Sequence, residues 1–259
     1  MSYKKILDKT LWSFSTLRLY EQCPYAFYCK KIENREAEQN FFAENGSVMH
    51  GIFEELLNGK YSLAEAPAVY QNRFELICNK TRLSTMDKTF EKCMDYLCSA
   101  KAFDVERYEL LGVEQKLNFK IGKYAFIGVA DCIIRDKEKG MVILVDHKSN
   151  DHFMKKDGLL LKSQQGHFLT YKKQMYLYCK GLQDCLGLHV DKIVWHHFKD
   201  KGELTVIPFC QHDYEETLDW AVDTIKRIYS DRSFQNRMSY MLCGQLCGYR
   251  GDCEYRKDN

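Results

Sequence analysis

The chain has 259 residues, of which 45% are hydrophobic and 29% charged, a composition that indicates a folded globular protein and excludes a disordered one. The formal net charge of +2 excludes a globally basic, histone-like DNA binder, although it allows a local basic cleft. The first fifteen residues show no signal-peptide core, and the longest aliphatic run, residues 141 to 145, is too short to span a membrane. We therefore expect a cytoplasmic protein without membrane contact.

Helices are predicted in the first hundred residues. Ser15 is the candidate N-cap of a helix that Pro24 should end near Cys23. Residues 40 to 58 show the apolar spacing of an amphipathic helix, and residues 64 to 102 predict two more.

The hydrophobic period then changes to that of strands. Turn residues separate three predicted strands and then two more, with a helix after each group. The predicted strands are residues 108 to 120, 123 to 135, 141 to 147, 191 to 198 and 203 to 209, and the predicted helices are 164 to 185 and 213 to 231. This order predicts an α/β fold with a helical insertion before the sheet.

Two carboxylates and a lysine are predicted at one edge of this sheet. A buried aliphatic strand ends in Asp146, His147 and Lys148, and alternation along a strand places Asp146 and Lys148 on one face. Asp131 lies beside Asp146 if the two strands form a hairpin. Such a set can hold a divalent cation and supply a positive charge for phosphodiester hydrolysis. A surface ion pair is the alternative for an isolated D-x-K triplet.

Three further features accompany this set, and the first two, taken alone, are more typical of packing than of a functional site. His50 lies in the middle of a predicted helix. Gln174 and Tyr178 share one helix face at i and i+4. Cys23 precedes Pro24, and the tail carries a C-x3-C-x5-C group about 220 residues later, Cys243, Cys247 and Cys253.

Together these motifs resemble the PD-(D/E)XK nuclease superfamily, and specifically its RecB-type branch, which includes the AddB nuclease domain and single-domain CRISPR-associated nucleases. The resemblance rests on S-x-S-x-L-x-x-Y-x-x-C-P, G-x-x-x-H, G-x-x-D-x-I, D-x-K, Q-x-x-x-Y and the cysteine trio in this order, from Ser13 to Cys253. It implies a restriction-endonuclease-like mixed sheet flanked by helices. The whole chain, 1–259, would be one nuclease domain, with a helical portion at about 36–104, a core at about 105–232 and a tail stapled by iron–sulfur.

The resemblance also implies roles for individual residues. The metal, Mg²⁺ or Mn²⁺, would be bound by His50, Asp131, Asp146 and the backbone carbonyl of His147, and Lys148 would be the catalytic lysine. Gln174 and Tyr178 would line the DNA cleft. Glu114, on the preceding strand, could lie behind the ligands, but we expect an ordinary surface position.

The cysteines have several interpretations. Twelve cysteines in such a chain can be buried packing residues, and four thiolates can hold Zn²⁺ or a [4Fe–4S] cluster. The resemblance favours a [4Fe–4S] cluster bound by Cys23, Cys243, Cys247 and Cys253, although Cys29 lies close to Cys23. The Cys-Pro pair favours Cys23.

The predicted activity is a metal-dependent DNA nuclease, an exonuclease on single-stranded or end-containing DNA that uses metal-activated water. Recombination, repair and CRISPR spacer processing are the candidate settings, with partners from such complexes or a homo-oligomer. A lysine-rich segment, residues 151 to 180, is either a DNA-tracking surface or a solvated helix face. The alternatives are a non-catalytic iron–sulfur DNA-binding or scaffolding subunit, and a zinc-stapled enzyme of different chemistry.

Overall fold

The helices and strands follow the predicted order along the chain. The computed structural model describes residues 3–38, 40–78, 84–236, 243, 247–253 and 255, with the side chain of residue 252 left out. Its helices are α1 (Lys4–Leu7), α2 (Phe14–Gln22), α3 (Pro24–Lys31), α4 (Phe41–Leu57), α5 (Ala66–Ile77), α6 (Ser84–Ser99), α7 (Gln165–Leu186) and α8 (Gln211–Ser230). Its strands are β1 (Tyr108–Ile121), β2 (Tyr124–Asp136), β3 (Val142–Lys148), β4 (Lys192–His197) and β5 (Glu203–Pro208).

The five strands form one mixed sheet in the order β1-β2-β3-β4-β5. Neighbouring strands are antiparallel except for β3 and β4, which are parallel. A parallel pair needs a long crossover connection, and α7 supplies it. The predicted mixed α/β sheet flanked by helices is confirmed.

One predicted helix start is wrong by two residues. The N-cap of α2 is Ser13, whose hydroxyl accepts a hydrogen bond from the backbone N–H of Thr16, while Ser15 lies inside the first turn. Both serines fit the N-cap preference, so composition alone could not separate them. The predicted end is correct, because Cys23 caps α2 and Pro24 begins α3.

The two faces of the sheet carry different helices. One face packs against α7 and α8 through the main core, which includes Leu144, Tyr176 and Trp195. On the other face, a smaller apolar cluster of β2, β3 and β4 residues packs against Leu57 of α4. Helices α4, α5 and α6 pack together around their own buried residues and Phe198. Strand alternation therefore directs Asp146 and Lys148 towards α7 and His147 towards α4.

Hydrogen bonds of a buried histidine hold the loop that follows β3 against the sheet. His197 is completely buried, and its ring nitrogens lie 3.1 Å from the carbonyl oxygen of Asn150 and 3.1 Å from Oγ1 of Thr205. The Thr205 hydroxyl also accepts a 3.2 Å hydrogen bond from the backbone N–H of Phe153. Burial lowers the pKa of His197 to about 4, so the ring is neutral at neutral pH.

We expect the protein to lose stability as the pH falls below about 6.5, the pKa of an unfolded histidine. The folded pKa of His197 is depressed, so its neutral form stabilises the fold above that pH, and this contribution is lost as the pH falls towards 4. Urea unfolding of wild type should show a loss on the order of 1 kcal/mol from this histidine at pH 5, after a discount for solvent screening. His197→Gln should have a flatter pH profile, and the exposed control His212→Gln should keep the wild-type slope.

No helix in the described part of the chain combines the length and the apolar character that a membrane span requires.

Candidate active site

Asp131, Asp146 and Lys148 meet where β2 and β3 lie side by side. Cys132 pairs with Val145 in the antiparallel ladder, which puts Asp131 across from Asp146 one step further. Lys148 Nζ lies 2.6 Å from Oδ2 of Asp146, and Oδ2 of Asp131 accepts a 2.8 Å hydrogen bond from the backbone N–H of His147. The hairpin pairing expected from the sequence therefore brings both carboxylates and the lysine together.

The two carboxylates differ in their electrostatic surroundings. Burial alone would raise the pKa of Asp131, but the hydrogen bond and charge of His50, together with Lys148, hold it at about 2. Burial raises the pKa of Asp146 to about 6 against the pull of Lys148. Asp146 is only 1% exposed, and its buried Oδ1 has no hydrogen-bond partner among the described residues. A buried carboxylate oxygen without a partner is costly, and a bound cation would remove that cost.

Lys148 is charged in this site despite its burial. Burial lowers the pKa of its ammonium, but Asp146 and Asp131 outweigh that effect, and the pKa lies above its usual value. The ammonium also lies 4.6 Å from the ring centroid of Tyr171 on α7. The structure thus holds a positive charge beside the carboxylates at neutral pH.

His50 reaches the same point from α4. Its Nδ1 lies 3.3 Å from Oδ2 of Asp131 and 3.9 Å from Oε1 of Glu114. One ligand atom from each of these three residues lies within 4.8 Å of the others, so they can share one ion. The histidine and carboxylate donors suit Mn²⁺ or Mg²⁺.

Glu114 is the site residue that the sequence analysis placed wrongly. We expected an ordinary surface position, but its carboxylate joins His50 and Asp131, and burial together with Asp131 raises its pKa to about 7. Its φ of 44° is a left-handed conformation that residues other than glycine rarely adopt, and such strain is found at functional sites. Counting back from the β1–β2 turn pairs Val113 with Cys132, and would have placed Glu114 across from Asp131.

We expect Glu114→Gln to weaken metal binding while leaving the fold intact. The substitution removes one negative charge from the cluster and keeps the side-chain shape, so the metal concentration for half-maximal cleavage should rise about 10- to 100-fold. Metal titrations of the cleavage rate would measure this. The matched control is Glu109→Gln on the same strand, whose carboxylate pairs with Arg135 outside the site. Equal metal requirements in wild type and Glu114→Gln would remove Glu114 from the metal site.

The side chain of His147 points away from the carboxylates. Its Nδ1 lies 2.8 Å from Nδ1 of His196, and its ring centroid lies 4.4 Å from that of Phe53. Burial lowers the pKa of His147 well below its usual value, so the ring is neutral. The expected contribution of His147 was its backbone carbonyl, and that role stays a prediction.

Gln174 and Tyr178 lie together on α7, as their spacing predicts. The Gln174 amide donates a 2.9 Å hydrogen bond to the Tyr178 hydroxyl. A Cβ at Gly128 would lie 2.8 Å from the Tyr178 ring, so this close approach explains the glycine before Asp131. Both side chains line a surface groove together with Ser13, Ser15, Lys116 and Asn118.

The lysine-rich segment divides into paired and exposed residues. Lys172 forms a 2.6 Å ion pair with Asp213, and Lys173 lies 4.4 Å from the Trp220 ring centroid. Lys155 and Lys156 are exposed in a turn after β3. Lys172 and Lys173 on α7 thus have partners within the protein, which the composition of the segment could not reveal.

The four cysteines of the predicted iron–sulfur site surround one small cavity. Cys23, Cys243, Cys247 and Cys253 all line it, and Cys29 does not. None of the four forms a disulfide with another described residue. Cys23 caps the N-terminus of α3, where its sulfur accepts a hydrogen bond from the backbone N–H of Ala26. Four cysteines that line one cavity, one of them at a helix N-terminus, are the number and kind of ligands that a zinc ion or a [4Fe–4S] cluster takes.

The tail that carries these cysteines docks against the N-terminal part of the chain. The backbone N–H of Glu38 donates a 2.8 Å hydrogen bond to the carbonyl oxygen of Gly248. A Cβ at Gly248 would lie 2.6 Å from the carbonyl oxygen of Glu38, so only glycine fits this approach. Asn236 lies in the cavity wall, where its amide donates a hydrogen bond to the sulfur of Cys243.

Two acidic side chains and a lysine meet on the adjacent strands β2 and β3 of a mixed sheet, a set that can hold a divalent cation for phosphodiester cleavage. The family model described as "PD-(D/E)XK nuclease superfamily" matches residues 11–256, and the chain belongs to that superfamily. Membership in this superfamily supports nuclease activity and therefore a nucleic-acid substrate.

The solved structures support the fold. A "Putative exonuclease" from Eubacterium rectale is similar with a TM-score of 0.59 at 15% identity, over 100% of this chain and 92% of that one. The restriction-endonuclease-like fold is therefore confirmed. The structure of SSO0001 matches 77% of this chain and 100% of its own, at 16% identity and a TM-score of 0.32, which is too low to support any argument. No curated protein matches the sequence.

Proposed function

We propose that the protein is a metal-dependent deoxyribonuclease that removes nucleotides from single-stranded DNA or DNA ends. The observation that carries this proposal is the pair of buried carboxylates beside a charged lysine, with one carboxylate oxygen that has no hydrogen-bond partner among the described residues. A structural ion pair would need one carboxylate and one lysine. The second aspartate, with His50 and Glu114 beside it, adds three ligand atoms close enough together to share one cation.

The residues that would hold the metal converge from three elements. Asp131 comes from β2, Asp146 and the backbone carbonyl of His147 from β3, and His50 from α4, with Glu114 beside them. When bound, Mg²⁺ or Mn²⁺ would polarise the phosphoryl oxygen and lower the pKa of water.

The residues of the chain itself supply orientation and charge. Lys148 keeps its proton because Asp146 and Asp131 raise its pKa, so its ammonium can stabilise the negative charge that develops on the phosphate. The Tyr171 ring beside Lys148 restricts the directions that the ammonium can take. Gln174 and Tyr178 line the neighbouring groove, where they can contact the DNA strand.

We further propose that the four cysteines bind a [4Fe–4S] cluster that joins the two ends of one nuclease domain. The RecB-type branch is the branch that this cysteine arrangement resembles. Within it, a cytoplasmic role in recombination, repair or CRISPR spacer processing is part of the same proposal, with protein partners or a homo-oligomer in such a complex. The competing function is a scaffold that binds DNA without cleaving it, and the intact Asp131, Asp146 and Lys148 set argues against it.

The test uses protein purified without oxygen and two single-stranded DNA substrates, one linear and end-labelled, the other circular. Degradation of the linear strand alone, in Mn²⁺ or Mg²⁺ but not in EDTA, is the expected result. Cleavage of the circle would show an endonuclease instead. Folded protein that binds both substrates and cleaves neither would favour the scaffold.

A further inference from the structure

A second cation, Arg18, lies near the same aromatic ring that Lys148 contacts. The Arg18 guanidinium, on α2, lies 5.3 Å from the ring centroid of Tyr171, and the Lys148 ammonium lies 4.6 Å from the same centroid. Both distances are within the range of cation–π contacts. Tyr171 thus links α2 to the catalytic strand through two positive charges.

The charge of Arg18 has no carboxylate partner in the described part of the chain. Its Nε is buried and makes no hydrogen bond there. The other described arginines pair with a carboxylate, except Arg232, which donates to the Tyr3 hydroxyl. Those pairs are Arg35–Glu33, Arg73–Glu55, Arg107–Asp136, Arg135–Glu109, Arg227–Glu21 and Arg250–Glu38.

An unpaired, half-buried guanidinium is costly unless an anion joins it. The nearby acid of the catalytic set, Asp146, is already paired with Lys148. The stack on Tyr171 reduces the freedom of the Arg18 side chain, which leaves its planar fork of N–H donors prepared for an oxygen anion. The anion that a nuclease must bind beside its catalytic lysine is a DNA phosphate.

We propose that Arg18 binds a backbone phosphate of the substrate strand adjacent to the phosphate that is cleaved. The inference rests on the proposed function, and it gives Arg18 a positioning role that no sequence motif indicated. A contact of this kind is independent of base sequence and depends on salt, because each phosphate that is neutralised releases counterions from the strand.

The experiment compares wild type with Arg18→Gln and Arg18→Lys. Binding of a fluorescein-labelled single-stranded oligonucleotide in EDTA is followed by anisotropy over a series of NaCl concentrations, and KM and kcat are measured in Mn²⁺. For Arg18→Gln, we expect Kd and KM to rise about 10- to 100-fold with kcat nearly unchanged. The slope of log K against log salt should become shallower by about 0.7, the value for one phosphate contact on a single strand.

The lysine variant separates charge from folding. Arg18→Lys keeps the charge and should restore the wild-type salt slope, while its affinity stays lower because lysine lacks the planar fork. The matched control is Arg232→Gln, which removes the other arginine without a carboxylate partner in the described residues and should change neither slope nor KM. Thermal unfolding checks that every variant is folded.

Two results would overturn the proposed role of Arg18 and leave the proposed function of the protein unaffected. One is a wild-type salt slope and KM in folded Arg18→Gln, from a protein whose wild type cleaves DNA. The other is a loss confined to kcat, which would mean that Arg18 acts only by holding Tyr171 and Lys148 in place. A wild type that neither binds nor cleaves DNA would instead reject the proposed function.

Discussion

Replacing Lys148 by alanine should lower metal-dependent DNA cleavage by about 100- to 1000-fold, the range seen when one preorganised charge is removed from an active site. The loss should be in kcat, because the ammonium acts on charge that develops during the reaction. The variant should remain folded. Asp146, left without Lys148, can take up a proton, since burial has already raised its pKa to about 6.

Lys172→Ala is the matched control for this prediction. Lys172 is another partly buried lysine in an ion pair, but its partner is Asp213 on α8, away from the carboxylates. Its loss should leave kcat unchanged. Equal activity of Lys148→Ala and wild type, with both folded, would show that Lys148 is no more than half of a structural ion pair.

Replacing Cys247 by serine should remove the iron–sulfur chromophore and destabilise the protein. The proposed cluster closes a loop of about 220 residues between Cys23 and Cys243. Loop-closure entropy for a cross-link of this length is about 5 kcal/mol, by the relation that describes disulfides. Iron and sulfide content, visible absorbance and the unfolding temperature of anaerobically purified protein would measure both effects.

Cys29→Ser is the matched control for the cysteine site. Cys29 is completely buried and close to Cys23 in sequence, but it does not line the cavity. Its loss should leave the iron content unchanged. If Cys29→Ser loses the iron and Cys247→Ser keeps it, the proposed ligand set is wrong. If the wild type contains zinc and no iron, the site is a zinc site and not an iron–sulfur cluster.

The sequence predicted most of the fold because the spacing of hydrophobic residues shows which side chains of a helix or strand are buried. The alternation that ends in Asp146, His147 and Lys148 predicted the carboxylate and the ammonium on one face of the strand. Their 2.6 Å contact agrees with that placement. The turn between β2 and β3 predicted their hairpin, and that pairing places Asp131 beside Asp146. Local patterns were sufficient wherever neighbouring strands follow each other in the chain.

The remainder of the site depends on contacts that no local pattern contains. The β1–β2 register could have placed Glu114 across from Asp131, but its approach to His50 also depends on its left-handed backbone and on the position of α4. Arg18 and Tyr171 meet because α2 packs beside α7, more than 150 residues later in the chain. Such pairings follow from the three-dimensional arrangement of helices, which residue spacing does not specify.

Cys23 caps two helices, and this connects the cysteine site to the groove that Gln174 and Tyr178 line. Its backbone N–H closes α2 by bonding to the carbonyl oxygen of Leu19, while its sulfur caps α3. At the opposite end of α2, Ser13 and Ser15 line the groove. A hydrogen-bonded helix of nine residues moves nearly as a rigid rod. We therefore expect oxidation of the thiols to shift the groove wall and Arg18, so that the proposed DNA binding weakens while the aspartates and Lys148 stay chemically intact.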